Sequence, residues 1–117
     1  MVRVYKATDI ESVEKEGYSA KYVADLLFKK ATGSAGVILV HVQAGERTKP
    51  HAHGYLEEIF IPLEPALLRI DDKRIELDSG DVVLVEPQER HSFEAKTDAP
   101  LRLVAIKVPN LKNDRMQ

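Results

Sequence analysis

Cysteine is absent from this chain of 117 residues, so neither a disulfide nor a thiolate metal site is open to it. An excess of charge of one sign is also missing. Seventeen Lys and Arg stand against 19 Asp and Glu, for a formal net charge of -2 and a pI near 6.1. Without a strong positive field, nucleic acid is not an expected partner. No apolar run is long enough to cross a bilayer, so no membrane partner is expected either. The opening segment MVRVYKATD lacks the apolar stretch and small-residue cleavage site of a secretory signal, which makes a cytoplasmic protein the expectation. Internal repeats, low-complexity blocks and linkers are lacking as well, so residues 1–117 read as one domain with one core.

What is there is a series of short apolar runs. Hydrophobic residues make up 44% of the chain, enough to fill a small sandwich or barrel. Val2 to Tyr5 reads as a strand. A short helix follows, with Thr8 as N-cap, Glu11 at the capping-box position and Gly17 as its stop. Ser19 to Phe28 suits a strand or a short helix. Gly36 to Gln43 is β-branched and reads as a strand. So do Glu58–Ile61, Ala66–Ile70, Arg74–Leu77, Asp81–Val85, His91–Ala95 and Leu101–Val108. Asp71-Asp72-Lys73 and Ser79-Gly80-Asp81 supply turns. Short strands at regular spacing predict an all-β fold, a closed or double-sheet antiparallel architecture. Residues 1–35 form an N-terminal strand and helix segment, and the polar residues 112–117 are expected to fray.

The chain has four histidines, and three of them fall in two short stretches. In Gly45-Glu-Arg-Thr-Lys-Pro-His51-Ala-His53-Gly-Tyr-Leu-Glu57, strand alternation points His51 and His53 the same way, about 7 Å apart. Two imidazoles so placed can converge on one ion. Glu57 has the same parity, but a straight strand would carry it about 20 Å from His51. The chain must therefore bend, and Gly54 is where a bend is easiest. Glu58 has the opposite parity and is expected to face away unless a bulge shifts the register. The second stretch, Gly80-Asp-Val-Val-Leu-Val-Glu-Pro87-Gln-Glu-Arg-His91, returns a further histidine. Three neutral nitrogens and one hard oxygen suit Mn, Fe, Co, Ni or Zn better than Ca or Mg.

These two stretches resemble the two motifs of the cupin superfamily. Gly45, His51, His53 and Glu57 match the first in residue type and spacing, and Gly80, Pro87 and His91 match the second. The resemblance implies a cupin jelly-roll barrel, a double-stranded β-helix, with His51, His53, Glu57 and His91 as the ligands of one divalent transition metal ion. It covers roughly the central half of the chain. Three positions depart from the pattern. Leu63-Glu64-Pro65 stands where a closing glycine is usual. Gln88-Glu89 follows Pro87 in place of a glycine. The asparagine often found after the second-motif histidine is absent.

Around the ligands, Arg47, Lys49 and Arg90 could meet an anionic substrate, although solvated loop charge is the simpler reading. Phe93 shares the parity of His91 and is the expected pocket wall, ahead of Tyr55 and Phe60. His41 is expected on the surface, because Val40 and Val42 claim the core face of its strand. The family resemblance implies dioxygenases, isomerases, decarboxylases, sugar-binding proteins and sensors among its members. A metal-dependent enzyme acting on a small organic molecule, dioxygenase-like, is the leading expectation. A non-catalytic ligand-binding module and a metal-stabilised structural module are the alternatives. The resemblance also implies a homodimer that buries an apolar sheet face, with the segment before Gly36 placed to cover it.

Overall fold

The computed structural model describes residues 1–16, 18–29 and 33–116. Its strands are β1 (Arg3–Tyr5), β2 (Val13–Lys15), β3 (Tyr18–Ala20), β4 (Gly36–Val42), β5 (Ala52–His53) and β6 (Glu57–Pro62). They continue as β7 (Ala66–Ile70), β8 (Lys73–Leu77), β9 (Val82–Val85), β10 (His91–Ala95), β11 (Leu101–Val108) and β12 (Arg115–Met116). The fold is all-β, as expected. One sheet runs in the order β1-β9-β6-β11-β4, a second in the order β10-β7-β8, and β12 pairs with β5. Every pairing is antiparallel.

Alternation along each strand decides what the two sheets enclose. On β11, Leu101, Leu103 and Ala105 point inward, and on β6 Phe60 does so. They meet Ala66, Leu68 and Ile70 of β7 and Phe93 of β10 in one buried cluster, which fills the space between the sheets. The opposite face of the larger sheet carries Ile59, Val82 and Leu84. Val23, Ala24, Leu26 and Phe28 of the N-terminal segment pack against that face, so the segment covers part of it.

The N-terminal segment departs from expectation. No helix starts at Thr8: a single 3-10 turn spans Ala7–Asp9, and Val13–Lys15 pairs as a strand with Tyr18–Ala20. Gly17, the expected helix stop, lies outside the described residues. A helix this short is marginal by itself, and a competing tertiary contact decides the outcome. The fully buried Asp81 accepts the Ala7 N–H at 3.0 Å and pairs with Lys6, tying this turn to the start of β9. Only Tyr18–Ala20 of the next expected element is a strand, and residues 21–29 run on without regular structure.

Residues 112–116 are not frayed. Arg115 pairs with His53 and Met116 with Ala52. Asp114 clamps the bend that follows β5: its carbonyl accepts the Gly54 N–H at 2.9 Å, and its Oδ2 accepts those of Tyr55 and Leu56 at 2.8 and 2.9 Å. The tail is mostly exposed, yet its backbone and one carboxylate satisfy N–H groups that the bend would otherwise leave unpaired.

The two glycines singled out in the sequence have a backbone reason to be there. Gly45 and Gly80 adopt φ of +80° and +87°, a left-handed conformation that a side chain penalises. Gln88 occupies the same region at φ 69°, at the position where the resemblance led one to expect glycine.

Candidate metal centre

Two strand-like stretches from distant parts of the chain are zipped together at the site. His51 and His91 lie directly opposite and exchange both backbone hydrogen bonds, His51 N–H to His91 O at 3.1 Å and His91 N–H to His51 O at 2.9 Å. Thr48 extends the pairing: its N–H reaches Phe93 O at 2.9 Å, and its Oγ1 accepts the Phe93 N–H at 2.8 Å. The Gln88 N–H closes on His53 O at 2.7 Å. The rings follow from this backbone, with centroids 4.7 Å apart for His51 and His91, 5.2 Å for His51 and His53, and 6.0 Å for His53 and His91.

The carboxylate that joins them is Glu58. One donor atom from each of His51, His53, Glu58 and His91 lies within 4.8 Å of all the others. Glu57 was the expected fourth member, and it sits elsewhere: its Oε1 accepts the Lys29 N–H at 3.1 Å. The parity count from His53 does not carry across the bend, because residues 54–56 are not strand. Parity along β6 itself does carry. Glu58 shares its side with Phe60, which belongs to the central core, whereas Glu57 shares its side with Ile59, which faces the N-terminal segment.

Hydrogen bonding prepares two of the rings as ligands. His51 Nδ1 lies 3.0 Å from Lys49 O, and His91 Nδ1 lies 2.9 Å from Glu89 O. A carbonyl can only accept, so each Nδ1 carries the proton and each Nε2 offers a lone pair to the centre. Among the described residues, His53 Nδ1 and Nε2, Glu57 Oε2, Glu58 Oε1 and His91 Nε2 are buried without a hydrogen-bond partner. Glu58 Oε1 lies 3.0 Å from His53 Nε2 and 3.5 Å from His91 Nε2. Such a contact is attractive where the Nε2 carries a proton, and where it does not the facing lone pairs repel until a cation joins them. Of these atoms, His53 Nε2, Glu58 Oε1 and His91 Nε2 face one another, an arrangement that fits a shared cation. The 4.8 Å span is slightly wider than two ion–nitrogen bonds of about 2.1 Å end to end, so small side-chain adjustments suffice.

The titration behaviour agrees with this picture. Burial pushes the Glu58 carboxyl up, but the close approach of His53 and His91 outweighs it and holds the group at about 2. Burial lowers His51, the Lys49 carbonyl opposes that, and the charges of His91, Arg115 and His53 lower it again, for a net downward shift. His51 is therefore neutral, and ready to act as a ligand, at neutral pH.

A cavity of about 250 Å³ opens on the cluster, walled by Ile38, Val40, Phe60 and Phe93 and edged by Lys49, Lys107 and Arg115. Phe60 packs on both Phe93 and His91, with centroids at 4.6 and 5.3 Å. Phe93 was the expected wall. Phe60 joins it, whereas Tyr55 is 45% exposed and is not part of the lining. Of the basic residues near the motifs, Lys49 borders the cavity and Arg47 and Arg90 do not. Lys107 could have been read from the alternation of β11, where it shares parity with Leu103 and Ala105. Arg115 could not, since it arrives with the tail. His41 is exposed, on the side away from Val42.

Comparison with known proteins agrees with this geometry. The family model described as "Cupin domain" matches residues 38–107, which take in both motifs and all of the cluster. The chain belongs to the cupin family. A cupin protein of Bacteroides fragilis superposes with a TM-score of 0.61 at 26% identity, over 79% of this chain and 89% of that one. A dTDP sugar isomerase of Desulfovibrio desulfuricans superposes with a TM-score of 0.71, over 99% of this chain and 82% of that one, at 12% identity, a likeness of fold alone. An uncharacterised protein of Methanocaldococcus jannaschii is 30% identical over 69 residues, 58% of this chain. This cupin spans about half the length of that relative, 55%.

Two outcomes follow. Glu58→Gln should cut the affinity for Ni(II) or Zn(II) about 10- to 100-fold or more, and Glu57→Gln should leave it near wild type, as read by competition with a metallochromic chelator. The reverse order would return Glu57 to the site. The second outcome concerns acid and the metal-free protein. The folded value of Glu58 lies below its ordinary 4.5, so the stability it confers is complete above about 4.5 and is lost as pH falls towards 2. Urea midpoints measured across that window should fall more steeply for wild type than for Glu58→Gln.

Proposed function

We propose that this cupin binds one divalent transition metal ion (Mn, Fe, Ni, Co or Zn) through His51, His53, Glu58 and His91, and acts on a small organic molecule held beside it. The observation that carries this reading is the close grouping of one donor atom from each of four side chains, three of them buried with unpartnered polar atoms, beside an apolar-walled cavity. Bound there, the ion would supply Lewis acidity and, if redox-active, the means to bring dioxygen and substrate together. The chain's own part is to orient and to exclude water. The Lys49 and Glu89 carbonyls fix two rings, and Phe60 and Phe93 keep one side dry. The cavity is smaller than the roughly 300–1,000 Å³ typical of drug-sized ligands, which favours a small substrate.

Dioxygenase-like chemistry is the reaction class we favour. Apart from the cluster itself, the lining residues that could move a proton are Lys49, Lys107 and Thr48, and the Thr48 hydroxyl oxygen is already engaged with the Phe93 N–H. Acid–base catalysis by the chain alone therefore has few candidates, and the chemistry falls to the metal. Protein purified without added metal should carry about one transition-metal ion per chain. His53→Ala should lose it, and His41→Ala should keep it. Fe(II)- or Mn(II)-loaded protein should consume oxygen with at least one chelating substrate from a panel of catechols, flavonols and β-diketones, and His91→Ala should abolish the uptake. A full metal complement with no turnover on the panel would favour the non-catalytic binding module.

A homodimer is the assembly this reading includes. On the outer face of the edge strand β4, Val37 and Leu39 are 72% and 67% exposed, beyond the part that the N-terminal segment covers. Sedimentation should give twice the chain mass, and Leu39→Glu should return it to the monomer value. A monomeric wild type would refute the assignment.

A further inference from the structure

A second recess adjoins the cavity, and it differs in character. It encloses about 410 Å³ and is lined by His53, Lys107, Lys112, Asn113 and Arg115. His53, Lys107 and Arg115 border both spaces, so the two are adjacent at the cluster. Among the described residues, no carboxylate lines the outer recess, and Glu58 is the only one that lines the inner cavity.

Some cations elsewhere among the described residues are matched by carboxylates, whereas others, Arg74 and Arg90 among them, form no ion pair. Arg102 is held by Glu64, Arg69 by Glu94, Lys29 by Glu86, and Lys6 by Asp78 and Asp81. Lys107, Lys112 and Arg115 have no such partner among the described residues. The chain as a whole is slightly acidic, so this local excess does not reflect general basicity. Like charges gathered in one recess repel, and an anion seated among them removes that cost.

We propose that the outer recess binds the phosphate group of a small phosphorylated organic molecule, whose other end extends into the inner cavity toward the imidazole cluster. The inference rests on the reading of that cavity as a substrate site. Phosphate suits the recess better than carboxylate on two counts. A phosphate monoester carries about 1.5 to 2 negative charges and three acceptor oxygens at neutral pH, against one charge and two oxygens. The donors are also of complementary kinds: two ammonium groups act as point charges, the Arg115 guanidinium offers a planar fork, and the Asn113 amide can donate between them.

Two elements supply these residues. Lys107 stands on β11 at an inward-facing position, at the end of the barrel where apolar packing gives way to the cavity. Lys112, Asn113 and Arg115 come from the tail that Asp114 and β12 fasten across β5. The tail therefore both supports the bend after His53 and brings cations to the substrate entrance.

The test uses the full chain stripped of metal with a chelator, so that binding reports the cations and not the ion. Inorganic phosphate, methyl phosphate and acetate are titrated by calorimetry or by amide chemical shifts, at low ionic strength and again with added salt. Both phosphates should bind, more weakly in salt, with shifts at Lys107 and residues 112–115. A Lys107→Ala/Arg115→Ala double variant should weaken both by about tenfold or more, while Arg74→Ala on β8 should not. Thermal melts of the variants establish that each remains folded. No binding of either phosphate up to about 10 mM would overturn the proposal, as would equal affinity in the double variant. Acetate binding as tightly as phosphate would overturn the phosphate assignment. Metal content, measured separately, decides the reading of the cluster whatever the phosphate result.

Discussion

His51 and His91 bond to each other twice through the backbone, and the functional centre depends on that pair. The two residues are forty positions apart in the chain. Once paired as neighbours in an antiparallel ladder, their side chains emerge on the same side at close range. Register then has no freedom: a slip of one residue would turn one of the two rings to the opposite face. Thr48 with Phe93 on one side, and His53 with Gln88 on the other, lock the register from both directions. The same contacts place Phe93 over the cavity, so the dry wall and the ligand set are products of one ladder.

Such a centre is costly to fold. His53, His91 and Glu58 are almost wholly buried, and several of their polar atoms lack partners. Unsatisfied buried polar groups typically cost about 1–3 kcal/mol each, which in isolation would favour replacing them with apolar side chains. A proton or cation shared between Glu58 and the two nearest imidazoles offsets part of the cost, in line with the lowered Glu58 carboxyl. The apolar cluster between the sheets supplies the rest of the support. Leu68, Leu77, Leu101 and Leu103 are essentially inaccessible to solvent and hold the scaffold on which this strained polarity is mounted.

The ends of the chain reinforce the barrel from opposite sides. The N-terminal segment lies on the outer face of the larger sheet, where it covers Ile59, Val82 and Leu84 and its backbone meets the carboxylate of Glu57. The C-terminal tail closes over β5 and brings Arg115 to the cavity. Adjacent glutamates on β6 thus serve different ends of the molecule. Glu57 anchors the outer layer, and Glu58 joins the inner cluster.

Much of this was legible in the residues alone. Alternating β-branched runs located most of the strands of the barrel, because side-chain period and burial are local properties of a strand. The spacing His-x-His with a later histidine identified three of the clustered side chains, and the glycines at 45 and 80 carry the left-handed backbone that their turns require. Two things were decided by tertiary structure. Parity cannot be counted across residues 54–56, where the chain leaves the strand and Asp114, from sixty residues downstream, sets the bend. With that bend set, Glu58 joins the three histidines and Glu57 meets the N-terminal segment. The tail was likewise expected to fray because its composition is polar, although Asp114 accepts from backbone N–H groups that no local pattern reveals. Local periodicity determines which face a residue takes within an element, whereas the joining of elements depends on long-range hydrogen bonds that only the folded chain can form.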